Sequence, residues 1–173
     1  MYITAQRGNQ PALALPRVKG TVDRTHKRFR DIILKFDGLT IGVLGDYMLD
    51  ELLQGEATRI SPEAPVPVVV MKNRGMAQGF PGGAGNVAAN LAALGGRPIA
   101  FGAIGEDESG ERLKKLLTRC GIYHKTLLQV PDRVTPHKIR IAALHHQLLR
   151  LDVERPENLA PRAADAPVRS FKR

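Results

Sequence analysis

Gly82-Gly83-Ala84-Gly85-Asn86 runs into an alanine-rich stretch from Val87 to Leu94 and is closed by Gly95-Gly96, and no other segment is better built to hold a ligand. Glycine pairs let the backbone come close to a bound group, and the helix they open turns unpaired N–H groups and the positive end of its dipole towards it. The chemistry that suits such a cradle is the binding of a polar or anionic group. Further along, Lys138 and Arg140 alternate with Ile139 and Ile141. In a strand that alternation puts both cations on one face, where they could converge on one anion; a merely solvated strand face fits the same pattern.

Other residue patterns promise less. Gly83-x-Gly85-x-x-Ala88 satisfies the loose dinucleotide-binding pattern, with the acids Glu106 to Glu108 about twenty residues on, where a ribose-binding carboxylate belongs. A dinucleotide loop follows directly on a strand, however, and here Arg74 to Pro81 intervenes with three breakers, Gly75, Gly79 and Pro81. His145 and His146 have no partner at metal-ligand spacing, so they are not expected to hold a metal. Cys120, the single cysteine, sits between Arg119 and Gly121 and is read as incidental, in a chain suited to a reducing cytoplasm.

The elements that must position these residues can be read from periodicity. Apolar positions at Phe29, Ile32, Ile33 and Phe36 predict an amphipathic helix over residues 23–36. Leu39 to Leu44 reads as a buried strand ending in a loop at Gly45-Asp46, and Val66 to Met71 as a strand in a proline-punctuated excursion. After the glycine loop and its helix, Pro98 to Ile104 reads as a second buried strand. Glu106-Asp107-Glu108-Ser109 then favours the start of a helix that runs to Arg119 and is stopped by Gly121. Strands are expected again at residues 125–130 and 137–144. This order argues for an α/β layer with parallel pairing.

A chain of 173 residues with 43% hydrophobic content can build one core, and with aromatics at 5% and no tryptophan that core must be aliphatic. The net charge of +9 is confined to the flanks. Residues 1–36 hold eight basic against two acidic side chains, residues 37–154 are balanced, and residues 155–173 hold five against two. A neutral middle with basic ends and no interleaved aromatics is not a nucleic-acid groove. No apolar run reaches the ~20 residues that span a bilayer, so no membrane partner is expected. Residues 1–26 read as an irregular basic extension. Residues 155–173, broken by Pro156, Pro161 and Pro167, read as a disordered tail.

Five ordered segments resemble the ribokinase-like, or PfkB, carbohydrate kinases, and within them the bacterial heptose 7-phosphate kinases of lipopolysaccharide precursor synthesis. They are Gly45 to Asp50, Arg59 to Val68, the glycine loop through Gly95, Gly105 to Gly110, and His145 to Asp152. The family's amino-terminal glycine pattern is met at Gly82, Gly83, Ala84, Asn86, Ala88, Gly95 and Gly105, and the resemblance covers residues 27–154. It implies a parallel sheet with helices on both faces and a small β lid. It also implies that Asp50, Gly82, Gly83 and Asn86 line a sugar, with the Asp50 carboxylate accepting from its hydroxyls. The phosphate of a sugar phosphate would meet Lys138, Arg140 and Arg150, with Arg59 a further candidate cation. ATP and Mg2+ are the expected cofactors of a full family enzyme, and a homodimer through the lid strands is a further implication.

The resemblance is incomplete in one respect. The family's phosphoryl-transfer segment is Gly-Ala-Gly-Asp, with the aspartate as base and the backbone as anion hole; here the only Gly-Ala-Gly is followed by Asn86. No catalytic residue and no nucleotide contact is therefore assigned, and the chain reads as the truncated amino-terminal part of such a kinase. One expectation is a heptose phosphate kinase lineage in which this chain carries the sugar-binding part. The other is a non-catalytic piece that binds a sugar phosphate or dimerises.

Overall fold

The computed structural model describes residues 24–73, 77–143 and 146–155, together with 165, 167–169 and 171. Most of the basic extension and of the tail expected to be disordered lies outside these residues. Helix α1 (Arg24–Leu34) ends before a turn at Gly38, whose φ of 72° suits glycine and whose N–H donates to the Gly95 carbonyl at 2.9 Å. Strand β1 (Thr40–Leu44) follows where the aliphatic run predicts a strand, but it is not a buried one: Val43 is its one buried residue, and Leu39 and Leu44 face out.

The described strands form three sheets, of two, two and five strands, and the first and last of these meet at Gly45-Asp46. In the first, β1 runs parallel to β5 (Arg97–Phe101), from Thr40 opposite Arg97 to Leu44 opposite Phe101. The chain continues into β6 (Ala103–Gly105), which pairs in parallel with β7 (Leu128–Val130). The single strand expected over residues 98–104 is thus two. They part at Gly102, where a Cβ would lie 2.4 Å from the Gly45 carbonyl oxygen, so only glycine admits that crossing.

The five-stranded sheet holds β2 (Tyr47–Ile60), β3 (Pro67–Val70), β4 (Ala77–Gly83), β8 (His137–Ala143) and β9 (His146–Val153). Strand β2 pairs antiparallel with β3 and β4 and in parallel with β8, and β9 closes the order as an edge strand antiparallel to β8. Two sequence expectations change here. The residues after Asp46 are not a loop but a 14-residue strand. Residues 74–81 do not separate the glycine segment from a strand, because Gly79, Pro81, Gly82 and Gly83 are themselves in β4. Pro81 is tolerated because β4 pairs only with β2 among the described strands and leaves its other edge free. The dinucleotide pattern still lacks its context, since β4 is antiparallel to its partner.

Helix α2 (Ala84–Ala93) packs on β1, β4 and β5, and α3 (Glu108–Arg119) on β2, β4 and β6. They share a core of Val43, Tyr47, Ala88, Ala100, Ile104, Leu113, Leu117, Ile122 and Leu127, aliphatic apart from one tyrosine. That tyrosine, 1% exposed, keeps its hydroxyl satisfied by donating to the Val43 carbonyl at 2.9 Å. At the start of α3, Asp107 Oδ1 accepts from the Gly110 N–H at 2.8 Å, an N-cap of the expected kind, and Gly121 ends the helix at φ 72°. Among the described residues, no helix is long and apolar enough to cross a membrane.

Candidate functional site

Strand periodicity and register decide which side chains meet. Across the β4–β2–β8–β9 ladder, Gly82 lies opposite Met48, Asp50 opposite Lys138, Leu52 opposite Arg140, Lys138 opposite Asp152 and Arg140 opposite Arg150. Because side chains alternate along a strand, all of these share one face of the sheet. The structure therefore brings Asp50, Gly82, Lys138, Arg140 and Arg150 together from four strands.

Asp50, 8% exposed, is held from one side: Arg140 Nη1 donates to its Oδ1 at 2.8 Å. On the other side, a Cβ at residue 82 would stand 2.7 Å from Oδ2, so the space beside that oxygen is open only because residue 82 is glycine. Lys138 Nζ donates to Asp152 Oδ2 at 3.2 Å and to Glu154 Oε2 at 3.3 Å, and Arg150 Nε is 3.0 Å from Asp152 Oδ1. Asp152, backed chiefly by Glu154, holds the Lys138 ammonium above its usual range. Burial alone would push the Asp152 carboxyl up, but Lys138 and Arg150 outweigh it and leave it below the ordinary value. Each cation of this face already faces a carboxylate, so an incoming phosphate must compete. Arg150, with about half its side chain exposed, is the easiest to recruit.

Gly83 adopts φ 56° and ψ −128° as the N-cap of α2, and a Cβ there would sit 2.4 Å from the Asp46 carbonyl oxygen. The Ala84 N–H donates to that same carbonyl at 2.9 Å, which fixes where α2 begins. Asn86 stands exposed in the first turn of α2, its backbone carbonyl accepting from Asn90 Nδ2, and it shares no ladder position with Asp50. Arg59 lies in the β2–β3 ladder, outside the stretch of β2 paired with β4 and β8.

A second polar group was not foreseen from the sequence. On the opposite face of the same strands, Glu51 and His137, each 8% exposed, are joined by His137 Nε2 and Glu51 Oε2 at 2.9 Å. Arg112 of α3 makes a two-pronged contact to the Glu51 carboxylate, and Ser109 Oγ lies 3.4 Å from His137 Nδ1. Burial alone would raise the Glu51 carboxyl, yet Arg112 first and His137 second bring it below the ordinary value of 4.5. The alternation of two adjacent acids, Asp50 and Glu51, was the available signal, but it carries meaning only once residues 47–60 are known to be a strand.

Comparison with known proteins places this chain in a lineage. The chain is 43% identical over 137 residues to the bifunctional protein HldE of Pseudomonas syringae pv. tomato, a match covering 79% of this chain and 28% of that one. It thus spans about a quarter of the length of the curated relatives it matches. A carbohydrate kinase from Agrobacterium tumefaciens overlays with a TM-score of 0.51 at 25% identity, covering 66% of this chain and 35% of that one. A protein of the same organism provisionally called a ribokinase overlays at 0.52 with 19% identity, covering 75% and 42%. The fold is accordingly ribokinase-like α/β. The pattern of the pfkB family of carbohydrate kinases matches residues 52–153, which takes in β2 from Leu52 onward, the glycine segment, α2, α3 and β8 to β9. On that match, which spans more than half of its length, the chain belongs to the pfkB family of carbohydrate kinases.

Proposed function

We propose that this chain carries the sugar-binding part of an ATP-dependent kinase acting on the anomeric hydroxyl of heptose 7-phosphate. The observation that carries the reading is Asp50, with one carboxylate oxygen held by Arg140 and the other beside the opening that Gly82 leaves. A fixed, half-committed carboxylate suits acceptance from a sugar hydroxyl, since its free lone pairs are oriented before the ligand arrives. Gly83 and Asn86 at the start of α2 would complete the sugar's surroundings, and Lys138, Arg140 and Arg150 would meet its phosphate.

This face does not fit a magnesium–nucleotide complex. The carboxylates on this face, Asp50, Asp152 and Glu154, are each committed to a cation of the chain, and among the described residues no cluster of metal-ligating side chains forms. No step through the nucleotide is therefore derived. The chain's own contribution is to bind and orient the sugar.

A second reading, a piece that dimerises, is favoured by the edge strand β9. Leu149, Leu151 and Val153 alternate on one face of it and are 55%, 49% and 43% exposed. Burying such a row against a second copy would take it out of water; this interface is β9 and not the proline-punctuated excursion of residues 62–71 that the resemblance implied.

Titration of the chain with heptose 7-phosphate, followed by calorimetry, tests the binding. Saturable binding is expected, weakened at least tenfold by Asp50→Asn and by Arg150→Ala, with neutral heptose affected only by the first. Equal affinity for heptose with and without its phosphate would refute the phosphate assignment. The chain alone is expected not to phosphorylate heptose 7-phosphate with ATP, and measurable turnover would overturn that expectation.

A further inference from the structure

Strands β2 and β8 hold the two ends of the Asp50–Arg140 pair, and their side chains leave their register ambiguous. On the back face, Leu49, Glu51 and Leu53 of β2 stand opposite His137, Ile139 and Ile141 of β8, so that Leu53 and Ile141 form the one apolar pair. A slip of one residue would turn the cations inward and is forbidden by the alternation. A slip of two residues, about 6.6 Å, keeps the pattern: Leu49 would meet Ile139 and Leu53 would meet Ala143 on the back, and Arg140 would replace Lys138 opposite Asp50 on the front. Neither the apolar side chains nor the front charges reject it.

The back-face polar group does. Glu51 on β2 is tied to Arg112, and His137 on β8 lies against Ser109, both partners on α3; the two strands are tied to each other by the 2.9 Å Glu51–His137 contact. Displacing β8 by two residues carries His137 out of reach of Ser109. Helix α3 is held in place by its packing on β2, β4 and β6, and Asp107, which caps it, accepts from the Thr135 N–H at 2.7 Å just before β8 begins and so ties the start of β8 to the same helix.

We propose that Glu51 and His137, anchored by Arg112 and Ser109, are positioning residues: a polar lock on the back of the sheet that fixes the register of β2 against β8 and thereby keeps Lys138 opposite Asp50 at the front, with Arg140 reaching Asp50 from the next pair along. Its link to ligand binding rests on the sugar-phosphate reading above; the register claim does not. Buried ionic groups are often retained for such specificity at little gain in stability.

The test uses the 173-residue chain. Replacing the pair by aliphatics, E51L/H137L, is expected to leave the melting temperature unchanged or higher. The same variant should double the amide NMR signals of residues 138–143, weaken the cross-strand contacts between β2 and β8, and lower affinity for heptose 7-phosphate at least tenfold. The swapped pair E51H/H137E is expected to restore one set of signals. H137F, which leaves Glu51 on Arg112 but unties β8, is expected to fold with doubled signals. One set of signals with wild-type cross-strand contacts in E51L/H137L and H137F would overturn the proposal. So would loss of folding in both, which would mean that the group holds the fold and not its register. If the wild-type chain binds no heptose 7-phosphate, the sugar-phosphate reading fails while the NMR signals still decide the lock.

Discussion

Gly82→Ala is the smallest perturbation that reaches the front face. The new methyl carbon would stand 2.7 Å from Asp50 Oδ2, 2.9 Å from its Cγ and 2.7 Å from Met48 Cγ. Ordinary contact between such atoms is about 3.5–4.0 Å, so roughly an ångström of overlap must be relieved. Met48 can bend away cheaply, being flexible. Asp50 cannot, because moving its carboxylate breaks the 2.8 Å bond from Arg140 in a site where the Asp50 side chain is only 12% exposed. A charged hydrogen bond of this kind is worth about 1.5–3 kcal/mol, and overpacking costs about 1–3 kcal/mol. Since either the clash or the bond is sacrificed, not both in full, Gly82→Ala should cost about 2–3 kcal/mol. In an Asp50→Ala background the carboxylate is gone and only the Met48 contact remains to be relieved, so the same substitution should cost about 1 kcal/mol. Urea denaturation of the four proteins of this double-mutant cycle gives the coupling, expected at about 1–2 kcal/mol. Additivity to within about 0.5 kcal/mol would show that residue 82 does not press on Asp50 and would refute the argument.

Two further outcomes follow from the same contacts. Because the folded-state carboxyl of Glu51 lies below its ordinary 4.5, its contribution to stability is fully present above that value and is lost as pH falls below it towards the folded-state value. The stability difference between wild type and E51Q should therefore be greatest near neutral pH and shrink below pH about 4.5; a constant difference down to about pH 3 would contradict this. Asp107→Ala removes both the α3 cap and the acceptor for the N–H of Thr135, a fully buried residue. Losing a cap costs about 1 kcal/mol and stranding a buried donor about 1–3 kcal/mol, so a total of about 2–4 kcal/mol is expected by urea denaturation, with Asn at 107 recovering the cap's share.

What the sequence disclosed, and what it hid, follows from the range of the interactions. Helix α3 was legible because its signals are local: acids before its first turn and Gly121 after its end. The shared face of Lys138 and Arg140 was legible because alternation within one strand suffices. Strand β2 was not, since Gln54-Gly55-Glu56 interrupts any simple alternation and its partners lie in β3, β4 and β8. Strand β4 was hidden by its own glycines and proline, which propensity reads as breakers and which an antiparallel edge accommodates. The Glu51–His137 contact spans 86 positions in the chain, and no local pattern reports a pair of that separation.

That long strand also sets an order of assembly. Strand β2 can find β3 and β4 as soon as they leave the ribosome, because they follow it within a few tens of residues. Its other edge must wait for β8, and Arg140 emerges 90 residues after Asp50. At a synthesis rate of about 5–20 residues per second, that is an interval on the order of ten seconds. Throughout it, the edge of β2 that will receive β8 is an open row of backbone donors and acceptors beside a carboxylate without its arginine. Nascent chains of this protein therefore pass through a stage at which an early hairpin offers a vacant seat to any extended segment nearby, and chaperones that mask strand edges would act on them there.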